Sequence, residues 1–169
     1  MFRLRPRRRF GHTAPMGRSS SHAVLAAAVC VAAFALGPAV GVVHAAKPEP
    51  TAGTYRAQAN AICKNEEQEL TALPSGLTLA VYLQDATAVA RKSLTALKHL
   101  SPPSELASLH AQVLANIEAG FPIVSRLRVR AQAGKLTLTQ FENDKALTRN
   151  VAREDGLWKQ LGASVCASS

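Results

Sequence analysis

Two cysteines, Cys63 and Cys166, stand near opposite ends of a leucine- and alanine-rich stretch that keeps helical periodicity from Thr54 onward. A chain with this pattern is expected to fold as an all-α domain whose first and last helices are within reach of one covalent bridge. A third cysteine, Cys30, lies in a different kind of sequence, and that segment fixes the compartment.

Met1 to His22 contains six arginines and no acidic residue, and it runs into the uncharged stretch Ala23 to Leu36. These are the n- and h-regions of a signal peptide. Gly37-Pro38 breaks the apolar run, and Val43-His44-Ala45 puts small or aliphatic residues where a signal peptidase reads, so cleavage is expected after Ala45. Ala23 to Val43 is 21 residues, close to the roughly 20 a spanning helix needs, and an uncleaved anchor is the alternative. In both cases the arginines stay inside and the rest of the chain is extracytoplasmic. Met16 offers a second start for a shorter signal. Arg7-Arg8-Arg9-Phe10 lies too far from the apolar run for a twin-arginine motif, and Cys30 reads as an apolar filler within it.

Removing residues 1–45 changes the electrostatic reading. The whole chain carries a formal charge of +9, but residues 46–169 hold 14 Lys and Arg against 11 Asp and Glu, a net +3. Nucleic-acid binding needs a clustered basic patch on the folded domain, and the excess charge here belongs mainly to the signal. Residues 46–53, with Pro48, Pro50 and Gly53, read as a linker, and 54–169 as one domain with one core.

Four helical segments are separated by their punctuation. Thr54 to Leu73 presents Tyr55, Ala59, Ile62, Cys63, Leu70 and Leu73 on one face and ends at Pro74-Ser75-Gly76. Leu77 to Leu100 carries Leu79, Leu83, Ala86, Ala90, Leu94 and Leu97, the clearest amphipathic stripe in the chain. Pro102 to Ala133, with Ser101 as the expected N-cap and Pro102 at the first helical position, buries Leu106, Leu109, Val113, Ile117, Phe121, Val124, Leu127 and Ala131. Gly120 and Pro122 are expected to bend it, and Gly134 to stop it. The fourth segment runs from Thr137 to Leu161 and buries Phe141, Leu147, Val151, Trp158 and Leu161. Thr137 and Gln140 fit a capping box, with Leu136 and Phe141 as the hydrophobic staple, and Thr139 with Glu142 is a competing register.

Four helices with short connections predict an up-down-up-down four-helix bundle. That topology sets the last helix against the first and brings Cys166 toward Cys63, so a Cys63–Cys166 disulfide is expected. Two thiols without a nearby histidine motif do not form a zinc site, and no Cys-x-x-Cys redox spacing occurs.

Few residues carry chemistry. His99 and His110 are the two histidines after the signal, and they read as surface residues: there is no Cys-x-x-Cys-His or Glu-x-x-His motif for a haem or di-metal centre. Glu66, Glu67 and Glu69, Glu118, and Glu154-Asp155 read as solvated helix faces. No catalytic residues, metal ligands or cofactor are expected, since the chain has no nucleophile elbow and no phosphate loop. Arg126, Arg128 and Arg130, with Lys135, concentrate positive charge near the end of the third segment, the candidate surface for an anionic lipid or envelope polymer.

Ala59-Asn60-Ala61-Ile62-Cys63, Leu73-Pro74, Leu100-Ser101-Pro102-Pro103 and the closing Gly162 to Cys166 resemble a loose class of exported or membrane-anchored two-cysteine helical proteins of high-GC Gram-positive bacteria. The resemblance covers residues 54–166 and implies the two-cysteine bundle, with no activity attached. The expected function is a non-enzymatic domain of the cell envelope that binds a protein partner or envelope component. The alternative is a carrier that lodges a small apolar ligand where Gly120 and Pro122 open the third helix.

Overall fold

Thr51 and Thr78 start the first two helices in the same way, each with its side-chain oxygen accepting from the backbone N–H three residues on, at 3.1 and 3.4 Å. These caps satisfy N–H groups that the first helical turn leaves without a partner. The computed structural model describes residues 50–167, so the expected signal segment and its cleavage site lie outside the described residues. Among them the chain is all-helical: α1 Ala52–Thr71, α2 Leu79–Lys98, α3 Ser104–Gln132, α4 Leu138–Glu142, α5 Lys145–Leu161 and α6 Ser164–Ala167. None of these helices is long and apolar enough to cross a membrane.

Two expectations about helix starts are corrected. Pro103, not Ser101, holds the N-cap position of α3, and no side chain caps that end. A residue before proline is pushed toward extended backbone, so Pro102 cannot enter the helix while Pro103 follows it. The segment expected to be one helix from Thr137 to Leu161 is two. Thr137 and Gln140 form the expected capping box at α4, but the Asn143 amide donates to the Thr139 carbonyl at 2.8 Å and ends α4 at once. Asp144 then accepts from the N–H groups of Ala146 and Leu147, both at 3.0 Å, and starts α5. Short polar side chains that compete for the backbone make a break here.

The helices pack in the order α1 on α2, α2 on α3 and α3 on α5, with α6 lying against both α5 and α1. One apolar cluster is built around Tyr55, Ala59, Leu97, Val113, Trp158 and Leu161. A second, at the other end, joins Leu83, Val124, Leu127, Leu136, Phe141 and Leu147. Removing a large side chain of this kind from water contributes roughly 1.5–3 kcal/mol. Leu136 and Phe141, the expected staple, are both buried in the second cluster.

The C-terminal segment is tied to α1 three times. Gly162 caps α5 with a left-handed φ of 74°, turning the chain into α6. Cys166 there is bonded to Cys63, with Cα atoms 5.3 Å apart and a sequence separation of 103. Asn60 accepts from the Val165 N–H at 3.0 Å at the start of α6, and Arg56 Nε donates to the Leu161 carbonyl at 2.7 Å. A cation on the last carbonyls of a helix also meets the negative end of its dipole.

Candidate functional site

The core stripes of α1 and α5 both contain a glutamate. On α1 the buried face runs Tyr55, Ala59, Ile62 and then Glu66; on α5 it runs Leu147, Val151, Glu154, Trp158 and Leu161. Steps of three and four residues place Glu66 and Glu154 in register with the apolar side chains that carry the helices into the core. The two are 3% and 4% exposed, and the expectation that both belong to solvated faces is corrected. Glu67 is exposed and Glu69 half-buried, as the outward turn of α1 dictates.

The two carboxylates are held differently. Glu154 Oε1 accepts from Trp158 Nε1 at 3.3 Å, within its own helix. Both oxygens of Glu66 are buried without a hydrogen-bond partner. Ser93, 5% exposed on α2, lies near enough to favour the charged form of Glu66 slightly, but its hydroxyl makes no well-formed bond to either oxygen. Burial pushes the Glu66 carboxyl up to about 7, and the charge of Glu154 acts in the same direction. Near neutral pH Glu66 is therefore divided between its protonated and charged forms.

Two further polar contacts cross the core. Tyr55 of α1 and Nδ1 of His110 of α3 are 2.7 Å apart, with the rings edge to face and centroids at 5.5 Å. Burial raises the tyrosine to about 12 and lowers the histidine, so both are neutral at pH 7 and share one neutral hydrogen bond, whose direction follows the imidazole tautomer. His110 is thus a core residue, which corrects its expected surface position; its signal was the step of three and four from Leu106 to Val113. His99 is exposed. Between α3 and α5, Asn116 and Asn150 exchange side-chain to backbone hydrogen bonds.

No known protein family, curated protein or solved structure matches this chain. Function is therefore read from the site itself.

The expected arginine surface sits at the C-terminal part of α3, where each side chain engages a different element. Arg126 lies 3.9 Å from Asp144, Arg128 donates to Gln84 of α2 at 3.2 Å, and Arg130 reaches the Lys135 carbonyl at 3.5 Å. Val129 and Leu138, 56% and 52% exposed, stand at the same end of the domain. A shallow notch of about 330 Å³ lined by Asn143, Lys145, Thr148 and Arg149 opens at the start of α5. Gly120, expected to open α3 for a ligand, is instead buried against α5: a Cβ there would meet the Asn150 Oδ1 at 3.0 Å. Pro122 lies within α3 with its side chain exposed. Among the described residues no group of three or more His, Cys, Asp or Glu side chains could hold a metal ion.

Proposed function

We propose that the chain is an extracytoplasmic, non-enzymatic helical domain, an up-down-up-down bundle delivered by its N-terminal signal or anchor, which binds a partner of the cell envelope through its cationic end. The observation that carries the reading is the Cys63–Cys166 bond, because a bridge of this span persists in an oxidising compartment and is rare in a reducing one. A binding role is favoured over a catalytic one by what these polar side chains do: the buried Tyr55, His110 and Asn116 and the half-buried Asn150 join one helix to another.

The binding face combines Arg126, Arg128, Arg130 and Lys135 with exposed Val129 and Leu138. Cations beside apolar side chains suit an anionic protein surface or polymer, with charge setting the encounter and apolar contact adding persistence. Co-sedimentation of the purified domain with isolated envelopes tests this. The triple variant R126E/R128E/R130E should lose at least about tenfold in retention, and wild-type retention should fall as salt rises. Retention that is unchanged in the variant removes the cationic end from the function. Intact mass of the natively purified protein tests export, through a chain beginning at Ala46 and lighter by the two hydrogens lost in the disulfide.

A further inference from the structure

The cations of this domain are concentrated in one stretch. Residues 126–153 hold seven Lys and Arg against two acids, Glu142 and Asp144, a net +5, whereas residues 46–169 as a whole carry +3, which leaves −2 for the remainder. Part of the excess is the cluster Arg126, Arg128, Arg130 and Lys135. The rest, Lys145, Arg149 and Arg153, runs down the exposed side of α5.

α5 gains nothing from these three. Four residues apart, they stand one above the other, and like charges at that spacing disfavour a helix. No acid of α5 lies three or four residues from any of them, and Lys145 opens the helix, where the dipole favours an acid. Among the described residues none of the three joins an ion pair or a hydrogen bond, although Lys92 and Lys98 pair with Glu69 and Glu118, both at 2.6 Å. Local structure gives no reason for such a row, and an anion from outside does.

The row continues the cluster. Arg126, near the end of α3, lies 3.9 Å from Asp144, the residue before Lys145, and the Asp144 carboxylate is turned to the N–H groups of Ala146 and Leu147. Between Lys145 and Arg149 the surface is hollowed into the notch of about 330 Å³ that Asn143 and Thr148 complete. From there the row descends two steps of four residues, about 12 Å along α5. We propose that a linear polyanion follows this track, from the α3 cluster past the notch and along Lys145, Arg149 and Arg153. The track presupposes that the cationic end is the binding face and names what that face holds. A flat lipid surface cannot meet the end and the flank of the domain together, whereas a flexible chain turns from one to the other. The exposed large apolar side chains, Val81, Val129, Leu138 and Val165, include no aromatic ring, so nothing stacks a base and the repeating charge of the chain is what is read.

Calorimetric titration of the natively purified protein with long-chain polyphosphate and with polygalacturonate, over a series of sodium chloride concentrations, tests the track. The tighter of the two identifies the anionic group as phosphate or carboxylate. Lys145→Gln/Arg149→Gln/Arg153→Gln should bind that polymer at least about tenfold more weakly, and its slope of log affinity against log salt should become shallower by about 2 to 3, the counterion release lost with three contacts. Lys64→Gln/Lys98→Gln/Lys159→Gln removes the same charge from exposed positions elsewhere and should keep the slope, with affinity within about threefold. Equal weakening in the two variants, or an unchanged slope in the first, overturns the track along α5; the cationic-end reading survives that result if R126E/R128E/R130E still abolishes envelope retention. Failure of both polymers to bind overturns the proposal. So does tripolyphosphate binding as tightly as the long chain, since a short anion cannot span cluster and row, or tighter binding to phosphatidylglycerol vesicles than to either polymer.

Discussion

Asn116 and Asn150 exchange hydrogen bonds across α3 and α5, each amide nitrogen donating to the other residue's backbone carbonyl, at 3.1 and 3.0 Å. The close approach this needs is allowed by Gly120, where a Cβ would meet the Asn150 Oδ1 at 3.0 Å and its Cγ at 3.7 Å. The pair thus explains why a glycine, a poor helix former, stands within the longest helix of the domain.

Gly120→Ala is therefore expected to destabilise by about 1–2 kcal/mol, although alanine alone favours the helix by about 1 kcal/mol, because the Asn150 amide is held by Asn116 and cannot retreat freely. In an Asn150→Ala background the same change should be neutral or stabilising. A double-mutant cycle by urea denaturation reads the difference.

Glu66→Gln should stabilise the protein at pH 8 and do little at pH 5. The folded carboxyl is raised from 4.5 to about 7, so between those values the native state holds more protons than the unfolded chain and wild-type stability falls as pH rises. Above 7 the penalty is complete, on the order of 3 kcal/mol for a shift of this size. The charges of Glu154 on α5 and of Glu69 on its own helix also act on Glu66, Lys92 on α2 pairs with Glu69, and all three are present in both proteins. The difference in stability between variant and wild type across pH 5 to 8 checks it, and a constant difference would contradict it.

Tyr55→Phe leaves Nδ1 of the buried His110 without its hydrogen-bond partner and should cost about 1–3 kcal/mol. Burial lowers the His110 value, so the stability that the neutral ring contributes is present above its unfolded value of about 6.5 and is lost as pH falls through the folded one. This trend is opposite to that of Glu66. Chemical denaturation of Tyr55→Phe at pH 8, where the ring is neutral in both states, isolates the lost hydrogen bond.

Replacing both Cys63 and Cys166 by serine opens a loop with a sequence separation of 103. On a chain-entropy basis this costs about 4–5 kcal/mol, a large part of the stability of a domain this size. Urea denaturation of the double variant against the oxidised wild type measures it, and hydrogen exchange should show protection lost first in α6, which Asn60 and Cys63 hold to α1.

The sequence by itself determined the local decisions. Steps of three and four residues marked the core of α2 and α3, Thr137 with Gln140 marked the start of α4, and two cysteines at the ends of a helical chain marked the bridge. The first two depend on residues within a few turns of one helix, the last on the chance that two cysteines in a helical chain of this length come together. Tertiary structure decided what those stripes mean where a polar residue falls in them. Glu66, Ser93, His110 and Glu154 lie in phase with apolar neighbours, yet an isolated helix assigns them no environment. Only the facing helix sets whether such a side chain meets water, a phenol as His110 does, or a second carboxylate as Glu66 does. The break at Asn143-Asp144 belongs to the same class, because capping by a short polar side chain competes closely with helix continuation and the packing of Phe141 and Leu147 into one cluster decides between them.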